Sequence, residues 1–164
     1  MCQRDFVSEL ADACRSEGLE TAIETNLCHP FEKIAPVLKK MSLVMADIKI
    51  LDEAEHRKWT GVSNALILEN AIRLGELGVP IIFRTPLIPG ATDKDNNLRM
   101  IAQFVAQIPN VRYYELLNFN PLGADKYTAL REKNVFAGAR PFGAEALKQF
   151  AAVVKKCGVP FKIS

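Results

Sequence analysis

Apolar residues recur along the chain with two different periods. Four segments carry apolar residues three or four positions apart, which predicts amphipathic helices. Their apolar stripes are Phe6, Leu10 and Ala13; Ile67, Ala71, Ile72 and Leu77; Leu98, Ile101, Val105 and Ile108; and Leu147, Phe150 and Val154. Shorter apolar stretches between them predict strands buried on both faces. These stretches are Thr21 to Thr25, Leu43 to Ile50, Ile81 to Ile88, and Val111 to Phe119.

A helix-turn-strand unit recurs three times. Gly18, Gly78 and Gly158 each stand between the end of a predicted helix and the start of a predicted strand. Glycine suits the left-handed conformation that closes a helix. Strands that alternate with helices predict an α/β fold with a parallel sheet, either doubly wound or part of a barrel. We expect residues 1–164 to form a single domain.

The first predicted element is a helix, which leaves the strand near Thr21 at one edge of the sheet. Natural domains usually cover or blunt an apolar sheet edge. We therefore expect further sequence, with further strands, upstream of Met1.

The composition of the chain argues against several classes of protein. The net charge of +2 and the 49% hydrophobic content do not indicate a disordered chain or a basic nucleic-acid binder. No apolar run approaches the roughly 18 residues that cross a bilayer, so we expect a cytoplasmic protein without a membrane partner. The four cysteines, Cys2, Cys14, Cys28 and Cys157, show no metal-ligand spacing.

Polar residues cluster where the predicted strands end, which is where parallel α/β folds bind ligands. The clusters are Glu24, Thr25 and Asn26; Asp47 and Lys49; Arg84 and Thr85; and Asn118 and Asn120. Alternation places Asp47 and Lys49 on one face of a strand, together with Met45. Two charges in an apolar strand indicate either a binding site or a buried salt bridge.

Other polar residues suggest more local roles. Arg84 offers a fork for carboxylates or phosphates, or pairs with a carboxylate such as Glu115. We expect His29 and His56 to be solvated. The segment from Thr60 to Asn64 predicts a turn into a capped helix.

Taken in order, these motifs resemble the activating enzymes of glycyl radical enzymes, a family within the radical S-adenosylmethionine superfamily. The resemblance lies in Asp47-Ile-Lys49, Thr60-Gly-Val-Ser-Asn64, Arg84, Pro89-Gly90 and Glu115-Leu-Leu-Asn-Phe-Asn120, followed by Gly123 and Lys126-Tyr127. It spans roughly Phe6 to Gly158. It implies a partial barrel of the TIM type whose first strands lie upstream.

The resemblance implies a reaction and its components. In the whole enzyme a [4Fe-4S] cluster reductively cleaves S-adenosylmethionine to a 5′-deoxyadenosyl radical, which abstracts a glycine hydrogen from a partner enzyme. The partner is a glycyl radical enzyme such as pyruvate formate-lyase, and the electron donor is a flavodoxin or ferredoxin. Such chemistry belongs to anaerobic metabolism.

The resemblance also assigns cofactor-binding residues. Thr25 and Asp47 are expected to hold the methionine part of the cofactor, with Glu24 and Met45 beside it, where the family can bind a monovalent cation. Lys49 is expected to meet the cofactor carboxylate. Arg84 is expected to contact the cofactor or the glycyl loop of the partner, and Asn120 stands where relatives commonly have a histidine.

The chain lacks the Cys-x-x-x-Cys-x-x-Cys loop of the family and its Gly-Gly-Glu-Pro segment. Because thiolates hold the cluster, we expect no metal ligands and no catalytic residue in this chain, and no activity from it alone.

Two other classes of function are compatible with the residues. The Asp47-x-Lys49-x-x-Asp52 spacing is similar to that of barrel decarboxylases, and Lys49 could also serve a Schiff-base aldolase. A docking module that recognises a glycyl radical enzyme without catalysis is the third hypothesis.

Overall fold

The computed structural model describes residues 3–164, and its centre is one open sheet of five parallel strands. The strands follow the chain order across the sheet: β1 (Ala22–Thr25), β2 (Leu43–Asp47), β3 (Ile81–Pro86), β4 (Val111–Leu117) and β5 (Phe161–Ile163). The predicted α/β class with parallel strands is confirmed. The strands begin within a residue of the predicted starts, but β2, β3 and β4 end two or three residues earlier than predicted, where the chain enters loops.

Residues 3–164 contain seven α-helices, of which the first precedes β1 and the others lie between the strands. They are α1 (Arg4–Ser16), α2 (Phe31–Leu38), α3 (Glu53–Thr60), α4 (Ala65–Gly75), α5 (Asp95–Val105), α6 (Ala124–Leu130) and α7 (Ala144–Lys155), and a short 3-10 helix, Pro121–Gly123, precedes α6. The four helices predicted from apolar stripes are α1, α4, α5 and α7. The buried sides of α4, α5 and α7 include most of their predicted stripes. Ile72 of α4 and Phe6 and Leu10 of α1 are exposed, so the prediction was wrong for these residues.

Helix α2 was missed because it contains a proline. Pro36 lacks the amide hydrogen that an interior helical residue donates, so proline usually ends a helix. Here Phe31, Ile34, Val37 and Leu38 are buried in the core. Burial of this apolar face therefore outweighs one lost hydrogen bond.

The core lies on one face of the sheet. Val44 and Ala46 of β2, Phe83 of β3, and Tyr114 and Leu116 of β4 are fully buried there beneath the helices. The other face, which we call the inner face, is only half-buried at most positions of β2 and β4. The prediction that the strands are buried on both faces was therefore wrong, because helices cover one side alone.

The three recurring glycines close their units in the predicted way. Gly18, Gly78 and Gly158 have φ of 72°, 74° and 78°. This region strains residues with a Cβ. Each glycine therefore lets the chain reverse from a helix into the next strand.

No helix in residues 3–164 has the length and apolar character needed to span a bilayer. Cys14, Cys28 and Cys157 are free thiols and half-buried. Cys2 lies outside the described residues.

A glycine at the end of α4 allows close packing at the amino edge of the sheet. A Cβ built on Gly75 would lie 2.6 Å from Cγ2 of Ile108 and 2.9 Å from Cδ of Pro109. We expect Gly75→Ala to lower the free energy of unfolding by about 1–2 kcal/mol, because overpacking costs about 1–3 kcal/mol and alanine's helix propensity returns at most about 1 kcal/mol. Urea titration measures the loss. Gly123→Ala is the control, because Gly123 has open space for a Cβ and its φ is negative; equal stability of the two variants would contradict the packing argument.

Candidate cofactor-binding site

Charged side chains line up across the inner face at the carboxyl ends of the strands. Asp47 of β2 is in register with Arg84 of β3, Arg84 with Glu115 of β4, and Glu115 with Lys162 of β5. Neighbours in register on a parallel sheet point to the same face. The row therefore alternates in sign from strand to strand on the face that no helix covers.

Arg84 connects three strands through its guanidinium. Its Nη1 donates to Oε1 of Glu24 in β1 at 2.8 Å, and its Nη2 and Nε donate to Oδ1 of Asp47 at 3.2 and 3.3 Å. Nη1 also lies 3.8 Å from Sδ of Met45. The side chain of Arg84 is only 11% exposed. Of the two roles predicted for Arg84, the structure shows the ion pair, and its partners are Glu24 and Asp47 rather than Glu115.

Lys49 and Asp47 converge on the inner face as the alternation predicts. Nζ of Lys49 lies 3.4 Å from Oδ2 of Asp47, and about a third of the lysine side chain is exposed. Asp47 therefore pairs with Arg84 through one carboxylate oxygen and with Lys49 through the other. The ammonium keeps donors free, since it has three and one faces Asp47.

The ion pairs shift the acidities of their members. The hydrogen bond from Arg84 lowers the pKa of Glu24 below its ordinary value, while burial acts in the opposite direction. The hydrogen bond to Glu24 in turn raises the pKa of Arg84, with the charge of Asp47 acting in the same direction. Both groups therefore stay ionised at neutral pH.

An open cavity of about 410 Å³ lies at this edge of the sheet. It is lined by Ile23, Glu24, Thr25, Asn26, His29, Asp47 and Arg84. Thr25 takes part as predicted, although its register partner is Ala46, so its side chain belongs to the helix-covered face. Its hydroxyl accepts a hydrogen bond from the amide of Leu27 at 3.0 Å. His29 is exposed, as predicted, but sequence reasoning did not place it at the cavity.

Asn120 lies apart from these residues. It borders another cavity, of about 390 Å³, whose walls include Ile88, Phe119, Tyr127 and Phe136. The Asn120 side chain accepts a hydrogen bond from the amide of Leu122 at 3.0 Å. Of the seven predicted binding residues, the structure thus brings Glu24, Thr25, Met45, Asp47, Lys49 and Arg84 together and leaves Asn120 at a separate cavity.

Two other predictions change. His56 is buried rather than solvated: its Nδ1 lies 2.9 Å from the carbonyl oxygen of Val62, which Gly61 folds back over α3 in a left-handed turn. Asp52 caps α3, since its side chain accepts from the amide of Glu55 at 2.8 Å. The Asp47, Lys49 and Asp52 cluster that a barrel decarboxylase requires is therefore not assembled.

Sequence reasoning placed Thr85 at a strand end but not in the core, and it missed the buried residues Asn70 and Asn97. Thr85 accepts a hydrogen bond from Oη of Tyr114 at 2.7 Å and donates to the carbonyl of Ile48. Burial raises the pKa of Tyr114, so its hydroxyl stays protonated and acts as a donor. Asn97 and Asn70 are likewise buried. Their sequence signal is an amide inside an apolar helical stripe, as Asn70 shows between Ile67 and Leu74.

Comparison with known proteins identifies the family. Residues 1–101 match the Radical SAM superfamily, which is more than half of the chain. The chain therefore belongs to this superfamily, and the predicted resemblance to the activating enzymes of glycyl radical enzymes is confirmed.

Individual relatives agree with the assignment. The (2S)-3-sulfopropanediol dehydratase activating enzyme of Klebsiella oxytoca is 40% identical over 148 residues, which are 87% of this chain and 47% of that protein. The pyruvate formate-lyase 1-activating enzyme of Escherichia coli K12 is 29% identical over 158 residues, covering 95% of this chain and 64% of that protein. The chain thus spans about half to two thirds of the length of these relatives.

A solved domain of a pyruvate-formate lyase-activating enzyme from Bacteroides vulgatus has the same fold. It superposes with a TM-score of 0.79 at 24% identity and covers 98% of this chain and 91% of the solved one. The five-stranded open sheet accordingly matches the partial barrel of the radical SAM fold.

The charged residues that line the cavity, together with Lys49 beside Asp47, carry groups complementary to the methionine part of S-adenosylmethionine. An ammonium with free donors at Lys49 suits a carboxylate, and the carboxylates of Glu24 and Asp47 suit an ammonium or a sulfonium. An iron-sulfur cluster does not fit the described residues. Within residues 3–164 no three His, Cys, Asp or Glu side chains are grouped to hold a metal ion.

The Arg84 ion pair predicts how Glu24 titrates. In Arg84→Gln we expect the pKa of Glu24 to rise toward 4.5, because the charged hydrogen bond is lost. The stability that the pair contributes is present above the unfolded-state pKa and is lost as the pH falls through the lowered folded-state value. Carboxyl ¹³C NMR titration measures the shift. Arg73→Gln, which removes the partner of Glu32 on the helical side, is the control and leaves Glu24 unchanged; an unaltered Glu24 titration in Arg84→Gln would show that the pair is absent in solution.

Proposed function

We propose that this chain binds S-adenosylmethionine as part of an activating enzyme for a glycyl radical enzyme. The observation that carries the proposal is the convergence of Glu24, Asp47, Lys49 and Arg84 at the carboxyl edge of a parallel sheet, in a member of the Radical SAM superfamily. Ligands of parallel α/β folds bind at this edge. The activating enzymes among its relatives support the choice of reaction.

Each residue has a distinct task. Lys49 donates hydrogen bonds to the cofactor carboxylate, while Asp47 holds the lysine side chain over the cavity. Arg84 keeps Asp47 and Glu24 ionised and in place. Met45 contributes a thioether beside them, and Thr25 supplies a hydroxyl donor from the end of β1.

Asn120 contacts the rest of the cofactor from the cavity that it lines. An amide both donates and accepts hydrogen bonds, so it can replace the histidine of relatives at this position.

When bound beside a reduced [4Fe-4S] cluster, the cofactor supplies a carbon-centred radical that removes a hydrogen atom from a glycine. The described residues hold no such cluster, so their contribution is to bind and orient the cofactor. The radical acceptor is a glycyl radical enzyme of the pyruvate formate-lyase type. A flavodoxin or ferredoxin supplies the electron, and the cytoplasm is the site of action.

Loss of the lysine charge tests the binding proposal. We expect Lys49→Met to weaken S-adenosylmethionine binding about tenfold to a hundredfold, because hydrogen bonds to charged groups contribute about 1.5–3 kcal/mol. Isothermal titration calorimetry measures the affinity. Lys148→Met removes a lysine from the far side of α7 and leaves affinity unchanged. Binding that survives Lys49→Met at full strength would rule out Lys49 as the carboxylate ligand.

Catalysis requires the cluster as well. We expect residues 1–164 alone not to cleave S-adenosylmethionine, whereas a longer protein with a Cys-x-x-x-Cys-x-x-Cys segment ahead of this chain binds iron and releases 5′-deoxyadenosine when reduced. Chromatography of the products measures cleavage. The control is the longer protein with the three cysteines changed to serine. Equal cleavage by the short and long proteins would contradict the proposed reaction.

A further inference from the structure

The segment 48–51, which carries Lys49 from β2 toward α3, has all four of its carbonyl groups bound by buried side chains. Thr85 donates to the carbonyl of residue 48 and Asn97 to that of residue 49, the latter at 3.0 Å. Asn64 donates to the carbonyls of residues 50 and 51 at 3.1 and 2.8 Å. We call Asn64, Thr85 and Asn97 the clamp residues.

The clamp residues come from three elements and are themselves fixed. Asn97 on α5 also accepts from the amide of Leu51 at 3.0 Å and donates to the carbonyl of Thr92 at 3.0 Å. Both amide hydrogens of its side chain and one lone pair of its Oδ1 are therefore used. Thr85 on β3 is held by Tyr114. Asn64 begins α4. All three are at least 93% buried.

The clamp determines where the lysine points. Ile48 and Ile50 are buried toward the helices, so the residue between them must face the opposite way. The segment has left the ladder of β2 at this point, and strand pairing no longer fixes the whole of its backbone. The hydrogen bonds from the clamp residues fix the backbone of this segment instead, and its path directs Lys49 toward Asp47.

The same device recurs after β1. Asn70 on α4 donates to the carbonyls of Leu27 and His29 at 2.7 Å each. Leu27 has φ of 55°, a strained value for a residue with a Cβ, so the loop needs such support. The loops that follow β1 and β2 are thus both held by buried asparagines, Asn70 on α4 and Asn64 at its N-terminus.

We propose that Asn64, Thr85 and Asn97 are positioning residues that preorganise Lys49 to receive the carboxylate of S-adenosylmethionine. The inference rests on the proposed function, in which Lys49 is the carboxylate ligand. A ligand group fixed before binding loses less freedom on binding, so the clamp raises affinity without touching the cofactor.

Asn64→Asp tests the clamp, and the stability of the variant is measured beside its affinity because a buried carboxylate that faces two carbonyl oxygens is destabilising. Aspartate has the same shape but donates no hydrogen bond to the two carbonyls, and a carboxylate at the start of a helix is favoured by the helix dipole. We expect S-adenosylmethionine affinity to fall at least about tenfold in calorimetry, which corresponds to about 1.4 kcal/mol. Asn97→Asp, which keeps the acceptor for Leu51 and loses both donors, is expected to act in the same direction.

Two controls separate positioning from stability. Asn96→Asp introduces the same charge in the first turn of α5 at an exposed site and leaves affinity unchanged. Gly75→Ala lowers stability at the opposite edge of the sheet and also leaves affinity unchanged. If Gly75→Ala weakens binding as much as Asn64→Asp, or if both clamp variants bind normally, the positioning role is refuted.

A second measurement does not depend on the cofactor. The ε-methylene signal of Lys49 in ¹³C-lysine-labelled protein, assigned with Lys49→Met, is expected to shift in Asn64→Asp and Asn97→Asp but not in Asn96→Asp or Gly75→Ala. If the unaltered protein binds no S-adenosylmethionine, the proposed function is wrong. The Lys49 signal then still tests whether the clamp residues position the lysine side chain. A Lys49 signal unmoved by either clamp variant would overturn the inference.

Discussion

The contact between Arg84 and its two carboxylates is the interaction on which the candidate site depends. It joins the ends of three neighbouring strands through one nearly buried guanidinium. Arginine can do this because its fork presents several donors in one plane and stays charged when it is partly desolvated. Without it, two acidic groups would face each other on the inner face, and the orientation of Asp47 toward Lys49 would be lost.

Local sequence patterns were sufficient to predict the sheet. β1, β3 and β5 start within a residue of the apolar runs that follow Gly18, Gly78 and Gly158, because that signal needs only neighbours in the chain. The ends of the strands and helix α2 were not predictable in this way. Whether Pro36 ends a helix or lies within one depends on how much apolar surface the rest of the fold offers to Phe31 and Ile34.

The residues of the candidate site also fall into two groups: those that local sequence patterns predict and those whose roles depend on the folded chain. Alternation in a strand was enough to place Met45, Asp47 and Lys49 together, and the parallel sheet brought Glu24 and Arg84 beside them. The roles of His56, Asn64, Asn70 and Asn97 could not be predicted, because each binds a backbone group of a loop whose path exists only in the folded protein. A polar residue in an apolar stripe indicates that a buried hydrogen-bond partner exists, but the sequence does not show which backbone group it is.

The alternating row of Asp47, Arg84, Glu115 and Lys162 also restricts how the strands can slide past one another. A slip by one residue would move a charge from the inner face into the packed helical side, where an ion without a partner is strongly disfavoured. A slip by two residues between β2 and β3 would set Asp47 opposite Ile82 or Pro86 instead of Arg84. This row of charges, which includes two of the proposed binding residues, thus also selects a single alignment while the sheet assembles.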